Sequence, residues 1–245
     1  MTPVRELWRH HRSRLLLLGW LGISSAMSLT LLVLRMVYTG KTTYTFLVWN
    51  LFLAWIPLGL ALFVWGLDLS RRRAWPLFTG LLLLWLLFFP NAPYIVTDFL
   101  HLDRRQGVPV WFDLLLIFTF AWNGLILGFV SLYLIQRRVE QHLGPVMGWI
   151  MALGSLGLSG LGIYLGRFGR WNSWDLITSP GGPVRQLLEQ VMDPFAHPRT
   201  LGVSVLYATF LVVAYVFLVL LASVQWTPPN GAAPSRSVGK GNVRA

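Results

Sequence analysis

Six mostly apolar stretches, each long enough to cross a bilayer, decide what this chain can fold into. They lie at roughly 15–34, 46–67, 77–96, 110–135, 146–166 and 201–224, against the ~20 residues a helix needs to span ~30 Å of hydrocarbon. In lipid the backbone has no water to bond with, so each stretch must satisfy its own N–H and C=O groups as a helix. The expected fold is an all-α integral membrane protein with six transmembrane helices. Residues 1–14 form a basic cytoplasmic arm, 15–225 a single transmembrane domain, and 226–245 a disordered cytoplasmic tail.

Composition supports this class. Apolar residues make up 55% of the 245-residue chain and charged residues 12%, and mean hydropathy is +0.60. Soluble domains carry about twice that charged fraction. There is no cysteine, which excludes disulfides, thiolate metal ligands and thiol catalysis. The N-terminus imitates a signal peptide, with Arg9, His10, His11, Arg12 and Arg14 before Leu15. The apolar run continues nearly unbroken to Leu34, beyond the ~7–15 residues of a secretory core, so an uncleaved first helix is expected.

The net charge of +11 sits in short clusters between the apolar runs, a pattern of topology signals and anionic lipid contacts rather than of nucleic-acid binding. Arg5, Arg9, Arg12, Arg14, Arg71 to Arg73, Arg137, Arg138, Arg236, Lys240 and Arg244 fall on one side. Arg35, Lys41, Arg104, Arg105, Arg167, Arg170, Arg185 and Arg199 fall on the other. The positive-inside rule then places both termini in the cytoplasm. In the long fifth connection, Val184, Leu187, Leu188, Val191 and Met192 recur at helical spacing between Pro183 and Pro194. This predicts a short amphipathic helix on the membrane surface. No internal repeat of the kind that builds two-halved transporters stands out.

Small residues crowd the fifth span: Gly148, Ala152, Gly154, Ser155, Gly157, Ser159, Gly160, Gly162 and Gly166. With Gly124 and Gly128 in the fourth span they predict close helix packing within the molecule, and a central place for the fifth. The third span ends in Phe89-Pro90-Asn91-Ala92-Pro93-Tyr94. Two prolines so close predict a break near Pro90, whose freed carbonyls Asn91 or a neighbouring helix must satisfy.

Polar groups at membrane depth are costly and mark candidate sites. Asp98 and His101 share a face if their segment is helical. Asp113, in the first turn of the fourth span, either answers the helix dipole or points into the bundle. Asn123 lies about 15 Å deeper at ~1.5 Å per residue, with Asn50 as a possible mate. Tyr164, Arg167, Arg170, Trp171, Asn172, Trp174 and Asp175 form the densest polar and aromatic cluster. Asp98, His101, Asp103, Asp113, Arg167, Arg170, Asn172 and Asp175 collect at one mouth of the bundle, the outer one in this topology, and Asn50 starts its span from the same side. Asp98, His101, Asp113 and Asp175 are candidate catalytic residues. The first three are also candidate ligands of one divalent metal ion, since carboxylates with an imidazole suit magnesium, manganese or zinc. Asn91, Asn123, Tyr164, Arg167, Arg170, Trp171, Asn172 and Trp174 are candidate ligand-binding residues, the arginines for phosphate or carboxylate. The plain alternatives are helix-to-helix hydrogen bonds, interfacial anchors and a structural or assembly role. A small transporter is a third possibility, though no charge falls at mid-bilayer.

The blocks Phe89 to Tyr94 with Thr97, Asp98 and His101, Trp111-Phe112-Asp113, Ala121-Trp122-Asn123-Gly124, Gly162 to Arg167, and Arg170 to Asp175 together resemble the bacterial inner-membrane family catalogued as domain of unknown function 1361. The resemblance spans roughly residues 45–225 and leaves out the first helix and the tail. It implies a multi-spanning bacterial membrane protein and supplies no reaction.

Overall fold

Each apolar run folds as a helix, which is what a backbone cut off from water requires. The structure, a computed structural model, describes residues 3–102 (backbone alone before residue 14), 107–168, 178, 181, 182, 185 and 198–224. Its helices are α1 (Pro3–Thr39), α2 (Phe46–Gly66), α3 (Ala74–Phe88), α4 (Asn91–Tyr94), α5 (Val110–Leu143), α6 (Pro145–Phe168) and α7 (Pro198–Ser223), with a 3-10 segment at Ile95–His101. Six spans are long and apolar enough to cross a membrane, α3, α4 and the 3-10 segment together making one. Large apolar side chains such as Trp20, Phe52, Phe63, Leu83, Leu115 and Phe217 stay exposed on the outside of the bundle, where lipid would meet them. The expected surface helix near residue 184 and the tail after 225 lie outside the described residues.

The first helix runs further than its apolar stretch. It is helical back to Pro3 and forward to Thr39, so Arg35 is part of the span rather than of a connection. Arg14 lies over the Trp65 ring, 5.4 Å from its centre, tying the start of the α1 span to the end of α2.

The break near Pro90 is present. α3 stops at Phe88, a short turn follows, and α4 resumes at Asn91. Asn91 Nδ2 donates to the Phe88 carbonyl at 2.9 Å, capping a group the break leaves open. Downstream, the 3-10 geometry repeats every three residues, which aligns Asp98 with His101.

α5, not the glycine-rich α6, is the central helix. It packs against α1, α2, α4, the 3-10 segment and α6, whereas α6 meets α4, α5 and α7. The reason lies in where the small residues point. Gly124 and Gly128 of α5 receive the bent segment: a Cβ on Gly124 would overlap the Ala92 carbonyl oxygen, and one on Gly128 would lie 3.1 Å from the Ala92 Cβ. In α6, Gly162 abuts Pro90 and Gly160 abuts Ser204 and Ala208, but Gly154 and Gly157 have no neighbour within 4 Å among the described residues. α5 and α6 are joined through Gly144, whose φ of +89° suits a residue without a Cβ.

Gly124→Ala should therefore lower the unfolding stability of the detergent-purified protein by about 1–3 kcal/mol, the usual cost of overpacking. Gly157→Ala should leave it unchanged or slightly higher. Thermal unfolding of the two variants beside the parent checks the contrast.

Candidate functional site

Three separate segments meet at the end of the bundle away from the N-terminus. The bent span delivers Asp98, whose side chain is 1% exposed. Asn50 of α2 donates to its Oδ2 at 2.8 Å. Arg167, at the end of α6, approaches Oδ1 with Nη1 at 3.4 Å and reaches His101 Nδ1 with Nη2 at 3.2 Å. Because a guanidinium only donates, Nδ1 of His101 accepts and the ring proton sits on Nε2. The direct Asp98–His101 separation, 3.7 Å, is too long for a hydrogen bond. Arg167 thus bridges the carboxylate and the imidazole. The imidazole is held from behind as well: Tyr44 donates to the His101 carbonyl at 3.2 Å, and the Phe46 ring lies 4.7 Å from it. The Arg167 and His101 side chains are 13% and 44% exposed, so this group opens outward.

Asp113 points into the bundle and goes elsewhere. Arg35 grips it with two nitrogens, Nε to Oδ1 at 2.6 Å and Nη2 to Oδ2 at 3.1 Å. Both side chains are almost fully buried, and the guanidinium carbon stands 4.4 Å from the centre of the Tyr44 ring. A bidentate pair of this kind fixes orientation as well as charge. The structure therefore divides the expected trio: Asp98 and His101 come together, and Asp113 pairs with α1. Among the described residues no three His, Asp or Glu side chains gather as a metal centre would need, and the Nδ1 lone pair of His101 is engaged by Arg167.

Asn123 does not meet Asn50. Its Nδ2 donates to Ser28 Oγ at 3.0 Å, the Ser24 carbonyl at 3.2 Å and the Thr119 carbonyl at 2.8 Å. Ser25 Oγ lies 3.4 Å from its Oδ1 and receives the Trp55 indole N–H at 3.2 Å. This set stitches α1, α2 and α5 together in mid-span. Asn91 serves the break, and Tyr164 lies one turn before Arg167 on α6. Asp103, Arg170, Trp171, Asn172, Trp174 and Asp175 lie outside the described residues.

Two features escape the sequence reading. Arg35 was counted among the connection charges, although Met36, Val37 and Tyr38 beyond it continue the apolar run and signal that it belongs to the span. Removing it from that count strengthens the positive-inside bias. At the opposite end of the bundle, Tyr215 of α7 donates to Gln136 Oε1 at 2.5 Å, Gln136 Nε2 donates to Glu140 at 2.8 Å, and Arg137 donates to Glu140 at 2.9 Å. There Arg138 also donates to the Leu67 carbonyl. The i, i+4 spacing of Gln136 and Glu140 was a legible signal, but the partner on α7 was not.

The chain matches the model of a family described as a protein of unknown function (DUF1361) over residues 49–214. No curated protein and no solved structure matches. The match covers more than half of the chain, which therefore belongs to this family. It takes in Asn50, Asp98, His101, Asp113 and Arg167, and leaves Arg35 outside.

Removing one partner of a buried ion pair leaves an uncompensated charge and costs about 3–5 kcal/mol. Arg35→Met should destabilise the bundle by that order, and Arg35→Met with Asp113→Leu should recover most of the loss. Denaturant unfolding of both variants in detergent gives the comparison; equal losses would contradict the pairing.

Proposed function

We propose that this DUF1361 member binds, at its extracytoplasmic mouth, an anionic group carried by a membrane-borne ligand. Arg167 is the binding cation and Asp98 the buried counter-charge that positions it. His101 offers its Nε2–H toward the ligand. The observation that carries this reading is the placement of Arg167: it is anchored by a sealed carboxylate and lies next to an open imidazole. A guanidinium held this way gives up little freedom on binding, which is the advantage of preorganisation. Arg170, Asn172 and the tryptophans of the same connection would extend the site. Asp175 would be its further acid, and the arginine clusters elsewhere would meet anionic head groups. The membrane would be the bacterial inner one, with both termini cytoplasmic, as the distribution of Lys and Arg suggests. A divalent metal ion on His101 or Asp98 would require Arg167 to swing away.

A second reading is favoured by one fact: the buried carboxylates Asp98 and Asp113 already have partners inside the protein. On that reading the polar groups brace a structural or assembly protein and bind nothing.

Titration of the purified protein with a water-soluble short-chain phosphatidic acid, followed by calorimetry, separates the two. A charge-assisted hydrogen bond is worth about 1.5–3 kcal/mol, so Arg167→Gln should weaken binding at least about tenfold, and His101→Phe should weaken it by less. No saturable binding, or equal affinity in Arg167→Gln, would leave the bracing role.

A further inference from the structure

The Arg167 group has a polar neighbour that takes no part in it. Tyr207 of α7 lies at helical spacing between Ser204, Leu211 and Tyr215, three buried residues on the face that α7 turns into the bundle. Its ring packs, half-buried, on the apolar core. The charge that acts on it is that of Arg167. Its hydroxyl has no hydrogen-bond partner among the described residues, yet it is not one of their sealed orphan atoms, which are Arg35 Nη1, Arg138 Nε and Ser204 Oγ. A tyrosine hydroxyl usually finds a partner when its ring is buried. This one is open to an incoming acceptor.

Its level in the bundle follows from the contact between α6 and α7. A Cβ on Gly160 would overlap the Ser204 carbonyl oxygen and press on Ala208, so Tyr207 stands level with Gly160. Arg167 is two turns further along α6, roughly 10 Å nearer the mouth at ~1.5 Å per residue. Tyr215 meets Gln136 at the opposite end of the bundle, so α7 starts at the mouth. Long helical side chains lean toward the N-terminus of their own helix. The phenol of Tyr207 therefore points up toward Arg167 from the membrane side.

A lipid that sets its anion on Arg167 runs its tails in that same direction. The first acceptors on the way are the ester carbonyls that join the tails to the glycerol. An ester carbonyl accepts and does not donate, which suits a hydroxyl with a free proton. Being neutral, it also brings no second anion toward Asp98. We propose that the ligand of the Arg167 site is an ester-linked glycerophospholipid, and that Tyr207 donates its hydroxyl proton to one of its ester carbonyl oxygens. This rests on the anion-binding reading above and narrows it from any membrane-borne anion to one with an acceptor below its phosphate.

Calorimetric titration of the full chain in detergent with two water-soluble lipids tests this. One is the short-chain phosphatidic acid. The other is its dialkyl ether analogue, which keeps the phosphate, the glycerol and the chains but has no ester carbonyl. The parent should bind the diester about three- to tenfold more tightly, the worth of one neutral hydrogen bond. Tyr207→Phe should bind both lipids as weakly as the parent binds the diether, with thermal unfolding unchanged. The preference of the parent is a readout that stands even where Tyr207→Phe fails to fold. No preference in the parent, an undiminished one in Tyr207→Phe, or equal losses of both lipids in that variant would overturn this inference and leave the anion site in place. No saturable binding of either lipid would end both.

Discussion

A carboxylate sealed inside a membrane bundle must find partners, and Asp98 organises its end of the molecule by finding them. Transfer of an unpaired ion into low dielectric costs far more than a fold can supply. The partners come from α2 and α6, so the bent third span has to lie against both. That requirement reaches down to small details. The prolines turn the chain after Phe88, and Asn91 caps the carbonyl the turn leaves open. Gly124 and Gly128 let the bend settle onto α5, and Gly162 makes room for Pro90 under α6. A Cβ at any of these glycines would press on the bent segment that carries Asp98.

The two charge pairs at this end have different characters. Arg35 and Asp113 are both almost fully buried and joined by two hydrogen bonds, one of them short at 2.6 Å, so they lock α1 to α5. Asp98 is equally buried, but its cation is less so: the Arg167 side chain is 13% exposed and also reaches an exposed histidine. Sealed pairs fix geometry. A cation anchored by a sealed anion can do more, since a guanidinium has five N–H donors and Asp98 and His101 do not use them all. The family match covers Asn50, Asp98, His101 and Arg167 and leaves out Arg35, as it does Tyr44 and Phe46 behind the imidazole.

The spans were legible because lipid imposes a length and a composition that few other folds share. The break at Pro90 is legible because proline has no N–H with which to continue the helix; the Phe88 carbonyl that Asn91 caps is left open because the Ala92 N–H bonds to the Phe89 carbonyl instead. Asp98 and His101 lie side by side, 3.7 Å apart, because a three-residue spacing aligns them on one face of the 3-10 segment. What spacing cannot encode is which helix lies across from which. Asn50 was matched with Asn123 because both are amides at depth, yet one serves Asp98 and the other the serines of α1. Chemistry groups Asp113 with Asp98, while its partner is Arg35, which stands in the sequence at the edge of a connection. The glycine content of α6 suggests a central helix, but Gly154 and Gly157 have no neighbour within 4 Å among the described residues.

The most direct test of this account is a double-mutant cycle on Asp98 and Arg167. Asp98→Asn, Arg167→Gln and the pair together would be unfolded by denaturant in detergent. If Asp98 holds Arg167 in place, either single change should remove most of what the pair contributes. The double variant should then be more stable than the sum of the two losses implies, by a coupling within the ~0.5–3 kcal/mol found for residues in one network. Losses that simply add, within a few tenths of a kcal/mol, would mean that the two side chains are independent and that the site described here is not assembled.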